Sequence, residues 1–228
     1  MSKRMISHAI LAAWCLALVP PAFAQDEAGA DSIGYFLGYS VGQQMKQSGF
    51  AEGDFSLESL SQGFADAFGG KEAKLNDEQL QATQQMIQTM LVQRQQQQMA
   101  KKKEEGTAYL AANAKKEGVK ALQGGVQYKV LKAGDGPSPG PTDTVKVHYT
   151  GKLINGTTFD SSVERGQPAT FQVNQVIKGW QMALQQMKVG SKWMLYIPSE
   201  LAYGERGSQG AIGPNEVLVF EVELLAIQ

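Results

Sequence analysis

Thiols and imidazoles are nearly absent from this sequence. Of 228 residues, one is cysteine and two are histidine. Cys15 and His8 both fall within the first 24 residues, so the remaining chain has no thiol and a single imidazole, His148. That excludes cysteine catalysis and disulfides. One histidine without cysteine makes a poor zinc site. A Ser-His-Asp triad needs an oriented, central histidine, yet strand alternation puts His148 on the face of Lys146, away from Val147 and Tyr149. There is no GxxxxGK[ST] phosphate loop. The formal net charge is −1, which suggests no polyanionic partner. The one basic run, Lys101–Lys103, is followed at once by Glu104 and Glu105 and has the composition of a solvated face; a nucleic-acid footprint would combine clustered aromatics with net positive charge.

Long apolar runs are also scarce. The one at Ala9–Val19 is too short to span a bilayer. Lys3 and Arg4 precede it and Ala22-Phe23-Ala24 follows as an A-x-A cleavage site, so residues 1–24 have the form of a secretory signal peptide. Trp14 before Cys15 is too large for a lipoprotein cleavage site. Cleavage before Gln25 takes the formal charge from −1 to −3, because the leader carries two positive charges and no acid. The expected location is the periplasm, free or associated with the outer membrane. No later stretch predicts a transmembrane helix.

Proline is missing from Ala22 to Gly136, and this half predicts helices. Asp26–Asp31 is polar, and no regular structure is expected there. Asp31 or Ser32 caps a first helix running to about Gln47. Gly34, Gly38 and Gly42 recur along it every four residues, a small-residue row that lets another backbone approach, either within the chain or from a second subunit. Ser56 caps a second helix with an apolar stripe at Leu57, Leu60, Phe64 and Phe68, ended by Gly69-Gly70. Asn76 or Asp77 opens a third helix predicted to reach about Glu117, a rod of roughly 60 Å. Its first half is apolar on one side (Leu80, Met86, Ile87, Met90, Leu91). Gln93–Glu105 is almost wholly polar, and Gly106 is a candidate hinge. Two helices and half a rod hold too little core to stand alone, so a second copy is the expected partner.

Beyond Gly118 the composition changes to short strands, at Val126–Leu131, Thr144–Tyr149, Ala169–Gln172, Lys192–Pro198 and Val217–Leu225. Turn clusters separate them. One amphipathic helix, Gln175–Met187, carries Trp180, Ala183, Leu184 and Met187 on one face. The predicted fold class is α+β: an N-terminal helical dimerisation domain (25–75), a long connecting helix (76–118), and a domain (119–228) in which an antiparallel sheet curls around one short helix. The centre of that last domain is VKVHYTGKLINGTTFD. Val145, Val147 and Tyr149 alternate with Lys146 and His148, Asn155-Gly156 marks a turn, and Phe159-Asp160 sets a large ring beside a carboxylate. With Val176, Ile177, Trp180, Tyr203 and Phe220 these residues predict one apolar pocket with few polar groups.

VHYTGKLINGTTFDSS, QVIKGW, ELAYGERG and LVFEVELL, in that order, resemble the signatures of FKBP-type peptidyl-prolyl isomerases from about Gly125 onward. The N-terminal half is similar to the dimeric periplasmic members of the macrophage-infectivity-potentiator (Mip/FkpA-like) kind. The resemblance implies intertwined N-terminal helices in a homodimer, with long helical arms holding two catalytic domains apart. It implies Trp180 as the floor under a proline ring, with Tyr149, Phe159, Val176, Ile177 and Phe220 as walls. The Ile177 backbone N–H and the Tyr203 hydroxyl would hold substrate carbonyls, Asp160 would accept from Tyr149, and Ile212 would close one side. Ala169 stands where many members carry an aromatic wall, which implies a wider pocket there. A macrolide is a candidate inhibitor of such a pocket.

The implied reaction needs no nucleophile, metal or cofactor. Isomerising an X–Pro bond breaks no covalent bond but sacrifices amide resonance, over a barrier of roughly 18–20 kcal/mol. The twisted amide is less polar than the planar one, so a dry pocket favours it. The expected role is folding of exported proteins, together with holding of unfolded, proline-containing clients. The alternative is a proline-binding periplasmic chaperone with little turnover.

Overall fold

The computed structural model describes residues 27–208 and 210–228; the leader reading at 1–24 lies outside them. The chain divides into two compact units, Met1–Ala73 and Lys74–Gln228.

The first unit holds α1 (Glu27–Gln47) and α2 (Leu57–Phe68). α1 begins at Glu27, inside the segment expected to lack regular structure. Ser56 caps α2 as predicted, its side chain accepting from the Ser59 N–H at 3.2 Å. This unit has no apolar core of its own: among the described residues, every buried apolar side chain lies at Val126 or beyond. Phe36 is 66% exposed, Phe64 62% and Phe68 86%. The glycine row of α1 and the apolar stripe of α2 line a shared groove of about 420 Å³, walled by Leu37, Val41, Leu60 and Phe64.

The second unit opens with α3 (Asp77–Asn113), four residues shorter than predicted and roughly 55 Å long. Asn76 and Gln79 form a reciprocal capping box at its start. Seven strands follow: β1 (Val119–Ala121), β2 (Gln127–Lys132), β3 (Thr144–Leu153), β4 (Thr158–Ser161), β5 (Ala169–Gln172), β6 (Lys192–Ile197) and β7 (Leu218–Ile227). They form one antiparallel sheet in the order β1-β2-β6-β7-β3-β4, with β5 also paired to β3. The sequence pattern did not predict β1, which has three residues. β3 shows the predicted alternation: Val145, Val147 and Tyr149 are buried, while Lys146 and His148 face away. β6 and β7 alternate in the same sense, and the inward residues of all three strands pack against α4 (Lys178–Leu184). α4 is shorter than predicted because Val173–Gln175 forms a separate 3-10 turn and Val176 is extended. Val145, Val147, Leu184, Met187, Leu195, Ile197, Leu218, Val222 and Leu224 are fully buried and make the core.

Gly106 is not a hinge. It lies buried within an unbroken α3, and a Cβ built on it would stand 2.8 Å from Val217 Cγ2. The helix therefore packs against the chain just before β7 at that point. Farther along α3, Tyr109 stacks at a tilt on Tyr196 of β6, with ring centroids 6.3 Å apart. Asn113 donates to Gln127 Oε1 and Gln127 donates to the Leu110 carbonyl, both at 2.9 Å. The polar second half of the rod is thus partly an interface with the sheet domain, rather than solvated throughout.

Candidate active site

The open face of the sheet beside α4 holds a cavity of about 320 Å³. β3 brings Tyr149, β4 brings Phe159 and Asp160, and β7 brings Phe220. Val176 and Ile177 come from the extended step before α4, Trp180 from its first turn, and Tyr203 from the loop after β6. All eight of these predicted residues line one cavity. Ile212 does not. It is 8% exposed and packed in the core, its carbonyl accepting from the Ser208 N–H at 2.9 Å. Ala169 is absent from the lining too; the aromatic that β5 contributes is Phe171, two residues along the same strand.

Trp180 stands at the bottom, 4% exposed. Tyr149, Phe171 and Phe220 meet it edge-on, with centroids 5.3, 5.8 and 5.3 Å away and interplanar angles of 87°, 89° and 80°. Phe159 meets Phe220 the same way, at 5.6 Å and 87°. Edge-to-face contacts of this kind favour one orientation of each ring, so neighbouring walls support one another. Gly151 makes the last pairing possible. It lies opposite both Asp160 and Phe220 in the sheet, and a Cβ there would fall 2.6 Å from Phe159 and 2.8 Å from Phe220.

One rim of the cavity is polar. The Tyr149 hydroxyl donates to Asp160 Oδ2. Arg165 pairs with Asp160 Oδ1 and donates from Nη2 to the Tyr149 hydroxyl at 3.1 Å. Its guanidinium also lies 5.7 Å from the centre of the Tyr149 ring. Burial works to raise the Asp160 carboxyl, but hydrogen bonds from Tyr149 and Arg165 outweigh it and hold the group below the usual carboxylate range. Burial, and then the bond to Asp160, push the Tyr149 phenol up. Asp160 is therefore ionised and Tyr149 neutral at neutral pH, and Arg165 pairs with the Asp160 charge at this rim.

On the other side, the Gln181 side chain donates to the Val176 carbonyl at 2.7 Å and the Asn174 carbonyl at 3.3 Å, bracing the step that carries Val176 and Ile177. The Ile177 N–H has no acceptor among the described residues. Tyr203 is 41% exposed at the mouth.

Sequence reasoning missed Arg165, Phe171 and Gln175. Phe171 was within reach, since residues 169 and 171 of a strand share a face. Arg165 lies in a turn between β4 and β5, where no periodicity relates it to Asp160.

A family model described as FKBP-type peptidyl-prolyl cis-trans isomerase matches residues 136–225. A second, described as the domain amino terminal to FKBP-type peptidyl-prolyl isomerase, matches residues 30–130. The chain is 48% identical over 210 residues to the FKBP-type 22 kDa peptidyl-prolyl cis-trans isomerase of Escherichia coli, covering 92% of this chain and 100% of that one. It is 46% identical over 204 residues to the peptidyl-prolyl cis-trans isomerase Mip of Coxiella burnetii, covering 87% and 86%. The crystal structure of FkpA from Escherichia coli superposes with a TM-score of 0.73 at 37% identity, covering 91% of this chain and 99% of that one.

Proposed function

The chain belongs to the FKBP-type peptidyl-prolyl cis-trans isomerases, and from that premise we propose that the cavity floored by Trp180 is where the X–Pro bond turns. The observation that carries this is the edge-to-face aromatic box around Trp180, with Tyr149, Asp160 and Arg165 along one rim. Proline enters over Trp180 between Tyr149, Phe171 and Phe220. The free Ile177 N–H and the Tyr203 hydroxyl, both on residues that line the cavity, hold the carbonyls flanking the proline. The apolar walls offer little solvation to the planar, charge-separated amide and disfavour the twisted one less. Each roughly 1.4 kcal/mol of such preference gives a factor of ten in rate. Asp160 acts through Tyr149 and Arg165, holding the phenol and one wall in place, and does not serve as a general base.

The test is cis-to-trans relaxation of a short X–Pro peptide in a protease-free assay, comparing wild type with Asp160→Ala and Tyr203→Phe. Rates that fall in both variants support this site; wild-type rates in both would place the chemistry elsewhere.

The first unit supports a wider role in folding. Its exposed Phe36, Phe64 and Phe68 and its glycine-lined groove match the needs of a homodimer formed through α1 and α2. Two copies would bring two isomerase pockets to one client, which raises the effective concentration of each for a chain bound at the other. In this reading residues 1–24 direct the protein to the periplasm, residues 25–75 dimerise it, and the clients are unfolded, proline-containing exported chains. No helix among the described residues is long and apolar enough to cross a membrane.

A further inference from the structure

Three residues on one stripe of α3 touch three consecutive residues just before β7. Met99, Lys102 and Gly106 are spaced i, i+3, i+7, a single face of a helix. The Asn215 side-chain amide donates to the Met99 carbonyl at 3.1 Å. Lys102 Nζ stands 3.2 Å from Glu216 Oε1, and the Glu216 side chain is only 9% exposed. Gly106 presents bare backbone to Val217, which is 3% exposed. Docking for stability alone would not require this set, because Tyr109, Leu110 and Asn113 already tie the end of α3 to β2 and β6.

What singles out the set is the loop it grips. Asn215 has φ of 56°, the only non-glycine residue with positive φ among the described residues. Asparagine is one of the few residues that adopt this left-handed conformation readily, so the path of the loop here sets the residue type. The Asn215 N–H donates to the Gly204 carbonyl at 2.9 Å. This closes a loop whose first residue follows Tyr203 directly. Inside the loop the Ser208 N–H donates to the Ile212 carbonyl at 2.9 Å. Asn215 is therefore a knot: its backbone fastens the base of the Tyr203 loop, and its side chain fastens that base to the arm helix.

We propose that Asn215 is a positioning residue for the isomerase reaction, holding Tyr203 at the mouth of the cavity by tying its loop to Met99 of α3. The proposal rests on the reading of that cavity as the isomerase site. It makes the second half of α3 part of the catalytic unit instead of a spacer.

The discriminating variant is Asn215→Asp in the full chain. It keeps the shape of the side chain and its tolerance of positive φ, but sets an acceptor against the Met99 carbonyl. Asn215→Gly, which relaxes the backbone and removes the amide, is the second variant. Each is measured for kcat/KM on an X–Pro peptide, alone and combined with Tyr203→Phe, and for amide exchange over residues 203–212. Asp160→Ala is run in parallel. The expected result is a loss of about fivefold from removing one such hydrogen bond, faster exchange in the loop, and a loss under about twofold when Tyr203 is already Phe, since two residues acting through one hydroxyl are not additive. Wild-type kcat/KM in both Asn215 variants, with Asp160→Ala still impaired, would overturn the latch and leave the site standing. The same fivefold loss in the Tyr203→Phe background would also overturn it, because the effect would then not pass through Tyr203. Unimpaired Asp160→Ala and Tyr203→Phe together would remove the site reading, and the latch with it.

Discussion

Gly151→Ala tests whether the cavity walls are as tightly fitted as their geometry implies. The added Cβ would fall 2.6 Å from Phe159 Cε2 and Cζ and 2.8 Å from Phe220 Cε1. Carbon atoms rest at about 3.5–4.0 Å, so the two rings must retreat by roughly 1 Å. Gly151 is the residue in register with Phe220 on one side and Asp160 on the other, so the backbone cannot move away without breaking the sheet. The rings can only rotate or shift within the cavity they wall. Overpacking of this kind costs about 1–3 kcal/mol. Replacing a mid-strand glycine returns about 0.5–1 kcal/mol of chain entropy. The net is a loss of about 1 kcal/mol, a fall in the melting temperature of the isomerase domain of roughly 5 °C. Turnover should fall further than stability, because misplacing reacting groups by about 1 Å can cost a hundredfold; a loss of about tenfold is expected. The assay pairs thermal unfolding with the peptide relaxation rate. A second change, Phe159→Leu in the Gly151→Ala background, should recover melting temperature without recovering rate. Wild-type rate and melting temperature in Gly151→Ala would refute the claim that Phe159 and Phe220 are tightly fitted.

Arg165→Met removes one of the groups that keep Asp160 ionised, leaving Tyr149 and the Ser161 backbone. The depressed carboxyl of the wild type contributes stability above its unfolded pKa and loses it as pH falls through the folded one; in the variant Asp160 protonates at higher pH, so the loss is complete at higher pH, and the acid limb of kcat/KM, which follows the same protonation, shifts upward. Both Asp160 and Arg165 are substantially exposed, so solvent screening should leave stability at neutral pH little changed. Gln127→Ala leaves the Leu110 carbonyl and the fully buried Asn113 amide without their partner, for an expected loss of about 2 kcal/mol by chemical unfolding. Phe64→Glu, placed in the groove of the first unit, should turn a dimer into a monomer in sedimentation, with the small-peptide rate per chain unchanged.

Much of this protein could be read from local pattern. The alternation of Val145, Val147 and Tyr149, the stripe of Trp180, Ala183 and Leu184, and the caps at Ser56 and Asn76 all follow from side-chain periodicity and from orphan N–H groups at helix starts. Those rules act over one or two turns, and the elements appear where they predict. The eight cavity residues were legible because strand and helix faces determine which side chains point inward, and aromatic side chains on those faces meet when the sheet curls. Ends of elements were less legible. α1 starts earlier than the polarity of Asp26–Asp31 suggested, and α4 shortens because Val176 and Ile177 are drawn out beside the cavity.

Composition alone left Gln93–Glu105 as a polar, solvated stretch and Gly106 as a hinge. Most of the stretch is exposed, but the hinge reading gave way to contacts from more than 100 residues away: Asn215, Glu216 and Val217 lie against Met99, Lys102 and Gly106. A helix that is polar all round carries no periodic mark of a partner that binds through a carbonyl, a lysine head and a missing side chain. Arg165 escaped for the same reason, since its bonds to Asp160 and Tyr149 join a turn to two strands. Sequence by itself determined the elements, their inward faces and the aromatic material of the cavity, because these depend on neighbours within a few residues. Only the tertiary structure decided which polar groups meet, that Ile212 belongs to the core and Phe171 to the cavity, and that α3 holds the Tyr203 loop, because hydrogen bonds and close backbone approaches depend on positions in space that no local period records.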